Sequence, residues 1–274
     1  MGYTVLRGSF VIWYPDLPRQ GPQPDGDTVK FIPDTPALVD TLPRRSGRPA
    51  QINSRGISVR LEAIDALETH FGNDHQELVG ARAARDALLA QLGFTGVTSF
   101  PDAPNNVDHA DQDSVRGHVL SNGIDANGRM IGFIYPGDPT EPDGAQVFLD
   151  DPRVDTSVNA VLLKAGLTYP AFYDTLPADL RADLADASRA ARAAVAGIWP
   201  RSTADPDGPA TIPDLAAQEE LVIWPKLFRR IVPYLAAGFT DFDGFDTGSA
   251  RTRSTATTRC CCWPTRPGPG TCTT

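Results

Sequence analysis

Five short segments with the alternating apolar pattern of β-strands, interrupted by a helical segment, constrain this fold more than any other feature of the sequence. Each strand pattern is bounded by Gly, Pro, Asn, Asp or Ser residues, which favour turns. The predicted strands cover residues 8–14, 29–32, 57–64, 115–121 and 130–135, with a short sixth at 145–149. Residues 77–92 carry Ala, Leu and Arg at helical spacing and predict the intervening helix. This order favours a small closed barrel with packed helices, in the α+β or mainly β class.

The C-terminal third of the chain has helical patterns. Residues 157–165 predict a short helix, and residues 177–196 predict a long one whose apolar stripe, ending at Val195, is expected to face the core. A linker rich in Pro and Asp follows, and then two short helical patterns. We therefore expect a main domain over 1–200 and a helical extension over 201–250.

The cysteines are confined to the end of the chain. All four lie in 251–274, a stretch that contains no acidic residue. The body is therefore neither a disulfide scaffold nor a zinc protein with cysteine ligands. The adjacent cysteines do not have the spacing of a usual zinc site, although a zinc clip stays an alternative. We expect a disordered tail, with out-of-frame translation as one hypothesis for its composition.

Composition limits the classes of function. The chain has 274 residues, 41% of them hydrophobic, and a net charge of −9. An acidic chain argues against a general nucleic-acid coat protein, although a small site with its own cations can still accept a phosphate. No apolar stretch approaches the ~18 residues of a membrane span, and the N-terminus lacks a signal-peptide pattern. These observations predict a cytoplasmic protein without a membrane partner.

Carboxylates and arginines occur at the ends of several predicted strands. If the strands form a barrel, these side chains can converge at one rim and provide oxygen ligands for a cation, a base and two guanidinium groups. Taken singly, each has an ordinary alternative as a turn residue or as part of an exposed ion pair. The residues concerned are Asp25, Asp27, Arg60, Asp65, Glu68 and Arg129.

Three of these segments, in this order, resemble motifs of the staphylococcal nuclease (thermonuclease) family. They are DGDT at 25–28, VRLEAIDALE at 59–68 and DANGRMIGFIY at 125–135. Residues 159–173 and 197–199 are similar to its C-terminal helices. The resemblance implies a five-stranded OB-fold barrel and calcium-dependent hydrolysis of DNA or RNA, leaving 3′-phosphate ends.

The resemblance also implies roles for individual residues. Asp27 and Asp65 would bind Ca²⁺, together with the backbone carbonyl of Ala66, and Asp25 would be an accessory acidic residue. Glu68 would be the general base or orient the attacking water. Arg60 and Arg129 would bind the phosphate and stabilise the transition state.

The chain departs from the family pattern in two places. Ala66 and Leu67 replace the usual Thr-Pro pair, which puts the turn that aims Glu68 in question. The loops at 33–56 and 100–120 are longer than in the smallest members, so the substrate groove can differ.

Two other functions remain open at this stage. The same barrel could bind single strands or peptides without hydrolysing them, or it could be a structural domain in a larger assembly. A binding module does not need the complete set of acids and arginines, so the set favours a nuclease that acts on DNA or RNA. The sequence does not determine the oligomeric state, for which a monomer is favoured. Since every predicted catalytic residue precedes Trp199, truncation after Pro200 is expected to leave a folded, active enzyme.

Overall fold

The computed structural model describes residues 2–14, 21, 23–174, 176–203, 212, 214–239, 242 and 245. In chain order, its strands are β1 (Gly2–Val11), β2 (Thr28–Pro33), β3 (Ile57–Leu61), β4 (Ala63–Asp65), β5 (Thr98–Ser99), β6 (Val107–His109), β7 (Ser114–Ile124), β8 (Met130–Pro136), β9 (Gln146–Phe148) and β10 (Tyr169–Ala171). Its helices are α1 (Ala37–Asp40), α2 (Leu78–Leu92), α3 (Asp151–Asp155), α4 (Val158–Lys164), α5 (Ala178–Ala193), α6 (Leu215–Glu219) and α7 (Pro225–Ala236). Within these described residues, no helix is both long and apolar enough to cross a membrane.

Five strands close into a barrel in the order β1, β2, β3, β8, β7 and back to β1. All neighbours are antiparallel except β3 and β8, which are parallel. β9 lies outside this ring and pairs with the first residues of β1. The predicted barrel with helices is therefore confirmed.

The alternating pattern that predicts β2 gives the barrel its interior. Val29 and Phe31 are buried, whereas Lys30 between them is partly exposed. The ring of Phe31 lies 5.0 Å from that of Phe10 on β1, and both side chains are fully buried. Burial of such a side chain contributes about 1.5–3 kcal/mol, so the two rings fix the pairing of β1 with β2.

Several predicted boundaries differ from the structure: β1 ends at Val11 and not at residue 14, and β7 extends from Ser114 to Ile124. β1 begins at Gly2, not at residue 8, because the earlier residues pair with β7 and β9. The predicted strand 57–64 is divided at Glu62 into β3 and β4, and Ala63, which begins β4, has a φ of 72°, outside the β region. α5 ends at Ala193, and Val195, at φ 54°, is 59% exposed rather than part of the core.

The C-terminal extension contains the two predicted helices, α6 and α7, and α7 is packed on the body of the protein. Phe228 is fully buried, and its ring contacts that of Phe71 at 6.0 Å. The hydroxyl of Tyr169 donates to the carbonyl oxygen of Val222 at 3.0 Å. The predicted tail, residues 251–274, lies outside the described residues.

Candidate functional site

Arg60 joins two carboxylates that come from different strands. Asp27 directly precedes β2, Arg60 lies in β3, and Asp65 ends β4. The register pairs Thr28 with Arg60, so Asp27 lies beside β3, where its carbonyl oxygen accepts from the amide of Leu61 at 2.8 Å. Arg60 Nη1 lies 2.5 Å from Asp27 Oδ2, and Nη2 lies 2.6 Å from Asp65 Oδ1. The predicted meeting of these three side chains is present in the structure.

The opposite charges of Arg60 and the two aspartates stabilise one another although all three side chains are nearly buried. Burial disfavours the ionised forms of Asp27 and Arg60, but the opposite charges and hydrogen bonds around each group together outweigh that effect. The pKa of Asp27 is therefore lowered, with the amide of Ala66, which donates to it at 2.8 Å, as a further cause. The pKa of Arg60 is raised by Asp27 and Asp65 against the effect of burial.

The turn that carries Asp27 packs tightly against its surroundings. A Cβ atom on Gly26 would lie 2.6 Å from the Cβ atoms of both Ala66 and Ala84, so this position requires glycine. Ala66 and Leu67, where the sequence departs from the family pattern, are both fully buried. The small side chain of Ala66 thus leaves room for the Asp25–Gly26–Asp27 turn.

Asp25 is the acid that burial affects most clearly. Its Oδ1 accepts from the amide of Gly26 at 2.8 Å and from the hydroxyl of Thr69 at 3.1 Å. Burial, and then the charge of Asp27, raise the pKa of Asp25 to about 7 in spite of these hydrogen bonds. Asp25 therefore carries a proton in weakly acidic solution unless another cation offsets its charge.

Glu68 lies beside this group and is contacted by an arginine that the sequence analysis missed. Glu68 Oε1 forms an ion pair with Nη1 of Arg229, and Arg229 Nη2 lies 2.9 Å from Asp65 Oδ1 and 3.0 Å from Oδ2. Burial, and then the charge of Asp25, raise the pKa of Glu68 to about 8, although Arg229 opposes the shift.

No signal in the sequence could have assigned Arg229 to this site. It lies 161 residues beyond Glu68, on a helix that the residue pattern predicts only as part of the extension. The pattern of α7 marks Phe228 and Ile231 as its buried face, but it does not indicate which part of the body they cover. The contact depends on tertiary docking alone.

Arg129 is not part of this cluster of contacts. It directly precedes β8, where Met130 pairs with Val59, the residue before Arg60 in the chain. Its guanidinium pairs with Asp125 of the same hairpin, with Nε 2.8 Å from Oδ2. The structure therefore brings together Asp25, Asp27, Arg60, Asp65 and Glu68, whereas Arg129 is paired at a neighbouring strand end.

Gln76 links the segment of Glu68 to the C-terminal extension. Its side-chain oxygen accepts from the amide of Glu68 at 3.1 Å, and its Nε2 donates to the carbonyl oxygen of Ile223 at 2.9 Å. Gln76 is fully buried. Because one amide group makes both bonds, the position of Glu68 and that of the chain leading into α7 are coupled.

Arg85 of α2 holds the loop that follows β5. Its Nη1 donates to the carbonyl oxygen of Asn105 at 2.8 Å, and its Nη2 donates to the hydroxyl of Ser99 at 3.1 Å. The side-chain amide of Asn105 in turn donates to the carbonyl oxygen of Thr69 at 3.0 Å. The loop is thereby joined both to a helix and to the residue that follows Glu68.

No family model matches this chain, and no curated protein matches it either. The chemistry of the cluster therefore has to be derived from its own side chains.

The donor set fits a hard divalent cation by charge and by atom type. Four carboxyl groups face two guanidinium groups, and carboxylate oxygens are the ligands that Ca²⁺ prefers. Within the described residues, no three His, Cys, Asp or Glu side chains form a metal-binding group, and Arg60 and Arg229 lie between the carboxylates. When all four carboxyls are ionised, they carry two negative charges more than the two arginines balance, and a divalent cation would neutralise these. The carboxyls concerned are Asp25, Asp27, Asp65 and Glu68.

Proposed function

We propose that this protein is a calcium-dependent nuclease that hydrolyses phosphodiester bonds of DNA or RNA, and that its barrel is an OB-fold of the staphylococcal nuclease type. One observation carries the proposal. Two segments that are distant in the sequence, 25–27 and 60–68, bring predicted site residues together. Arg60 contacts both Asp27 and Asp65, and Glu68 lies close enough to Asp27 for their charges to interact.

Asp27 and Asp65, with the carbonyl oxygen of Ala66, are the residues that would hold the cation, and Asp25 would be accessory. A bound Ca²⁺ would supply positive charge to offset that of the phosphate. Both aspartates are nearly fully buried and already hold a positive group, Arg60, between them. The two carboxylates are thus already brought together, which supports the assignment.

Glu68 is suited to accept a proton from water. A general base is most effective when its pKa lies near the working pH, and in the site without a cation the pKa of Glu68 is raised to about 8. Its backbone amide is fixed by Gln76, so the carboxylate has a defined position. In this proposal Glu68 orients a water molecule and takes up its proton as the water attacks phosphorus. The P–O5′ bond breaks, and the 5′ oxygen takes a proton from solvent, so that a 3′-phosphate and a 5′-hydroxyl end are left.

Arg60 and Arg129 would donate to the phosphate oxygens. A guanidinium group matches the geometry of a phosphate because it presents parallel N–H donors. Arg60 holds both aspartates, whereas Arg129 has a side chain about one third exposed and pairs with Asp125. Arg129 would leave Asp125 to reach the substrate at the adjacent strand end.

The decisive experiment compares cleavage of single-stranded DNA in Ca²⁺, in Mg²⁺ and in chelator. We expect cleavage in Ca²⁺, little in Mg²⁺, because Mg²⁺ requires stricter octahedral geometry, and none in chelator. Glu68→Gln should abolish most of the activity, and Glu141→Gln, which affects an ion pair with Arg153 away from the cluster, is the matched control.

Two outcomes would contradict the proposal in different ways. Equal cleavage in Ca²⁺ and in chelator would contradict the metal assignment. Binding of single strands without any cleavage, unchanged by Glu68→Gln, would instead support the binding module as the function of this barrel.

A further inference from the structure

Arg229 is the one member of the cluster of contacts for which the proposed mechanism has no role. It bridges Asp65, assigned to the cation, and Glu68, assigned as the base. The two arginines of the proposed mechanism are Arg60 and Arg129; of these, Arg60 contacts Asp65, and Arg129 pairs with Asp125. The C-terminal extension thus places a cation at the proposed reaction centre.

The docking of α7 shows that this contact is a built part of the fold. Phe228, the residue before Arg229, is fully buried against Phe71. The chain leading into α7 is held by Gln76, whose other end binds the amide of Glu68. The helix that carries Arg229 is therefore positioned from the same short segment that carries Glu68.

Arg229 lies on the outer side of the cluster. Its side chain is 30% exposed, compared with 10% for Arg60 and 8% for Asp65. Of the two arginines that contact Asp65, Arg229 is therefore the more accessible to a phosphate group that approaches from solvent. Arginine can make two parallel charge-assisted hydrogen bonds to such a group.

We propose that Arg229 is a further substrate-binding residue, which donates to a backbone phosphate of single-stranded nucleic acid bound at this cluster. This inference rests on the proposed function in that it takes a polynucleotide as the ligand. The ion pairs of Arg229 with Asp65 and Glu68 hold the guanidinium in place until a phosphate oxygen replaces a carboxylate oxygen as its acceptor.

The test is a binding measurement on the full chain with a fluorescein-labelled phosphorothioate oligothymidylate, which keeps the backbone charge and resists hydrolysis. Fluorescence anisotropy in Ca²⁺ over a range of salt concentrations gives both the affinity and its salt dependence. The variants are Arg229→Gln and Arg229→Lys. Arg230→Gln is the matched control, since Arg230 is exposed on the same helix and stacks on Phe245 at 5.2 Å.

We expect Arg229→Gln to weaken binding about tenfold, as for loss of one charged hydrogen bond. The slope of log K against log salt should fall by about 0.7, the value for one phosphate contact on a single strand. Arg229→Lys should keep the slope, because it keeps the charge, with intermediate affinity. Arg230→Gln should behave as the unmodified protein.

Several results would overturn the inference. The first is that the unmodified protein does not bind the probe. The second is that Arg229→Gln binds with unchanged affinity and an unchanged salt slope. The third is that Arg229→Gln binds more weakly with an unchanged salt slope and unfolds at a lower urea concentration. The last result would identify a purely structural ion pair. Binding that depends on Arg229, without cleavage of ordinary DNA in Ca²⁺, would support the inference and refute the nuclease proposal.

Discussion

Replacement of Arg60 by glutamine should destabilise the protein far more than the same change at Arg129. Arg60 is the positive group between two nearly buried carboxylates, at 2.5 Å from Asp27 and 2.6 Å from Asp65. Arg129 has one partner, Asp125, and a side chain that is 33% exposed. The family resemblance gives the two arginines similar roles in binding phosphate, so a difference in stability tests the structure rather than the resemblance.

The magnitudes follow from burial. Removal of one partner of a buried ion pair typically costs about 3–5 kcal/mol, because a charge is left without compensation. Removal of a partly exposed pair costs about 1 kcal/mol or less. With a urea slope of about 3 kcal/mol/M, the unfolding midpoint should fall by at least about 1 M for Arg60→Gln and by less than about 0.4 M for Arg129→Gln.

Urea unfolding in chelator at pH 7 measures both variants, and circular dichroism verifies that each begins folded. Addition of calcium should then raise the unfolding free energy of Arg60→Gln more than that of the unmodified protein, since the aspartates have lost the guanidinium between them. A ligand at 100 times its Kd contributes about 2.7 kcal/mol. The double variant Asp27→Asn/Arg60→Gln should lose less than Arg60→Gln alone. Equal losses of unfolding free energy in Arg60→Gln and Arg129→Gln would refute this reasoning. A double variant whose loss equals the sum of the losses of Asp27→Asn and Arg60→Gln would refute it as well.

Three further predictions concern individual groups. Glu68→Gln should lower the turnover of single-stranded DNA about 10²- to 10⁴-fold while the protein stays folded; a rate near that of the unmodified protein would remove Glu68 from catalysis. In chelator, the free energy of unfolding should fall as the pH rises from about 4 to 8, because Asp25 and Glu68, with pKa values raised to about 7 and about 8, keep protons that the unfolded chain releases. Thermal unfolding at a series of pH values measures this fall, and Asp25→Asn should flatten the curve; a stability that increases over this range would contradict the raised pKa values. Phe228→Ala should cost about 3–5 kcal/mol in urea unfolding, since it empties a fully buried site, whereas no effect would mean that α7 is not docked as described.

The barrel could be predicted because its strands carry local signals. In β2 the alternation of buried and partly exposed residues is present in the letters of the sequence, and the Asp-Gly turn marks where the strand begins. The division of the third predicted strand could not be foreseen. Ala63 adopts a positive φ that its residue type does not favour, so its conformation is imposed by the packing around it.

The candidate site was predictable only as far as its residues lie in recognisable motifs. The contact of Arg60 with Asp27 and Asp65 follows from strands that are neighbours in the barrel. Arg229 lies outside any motif, and its place depends on how an amphipathic helix docks. The expectation that the chain beyond Pro200 is dispensable for chemistry therefore remains a prediction, and the contact of Arg229 with Glu68 gives a reason to test it directly.

The buried guanidinium of Arg85 has a consequence for local unfolding. Because it holds the backbone carbonyl of Asn105, and Asn105 holds that of Thr69, the loop cannot open without also breaking a contact of the chain next to Glu68. Such linked bonds make neighbouring segments open as one cooperative unit rather than as separate loops. Amide hydrogens of the loop and of the Glu68 segment should thus exchange with solvent together.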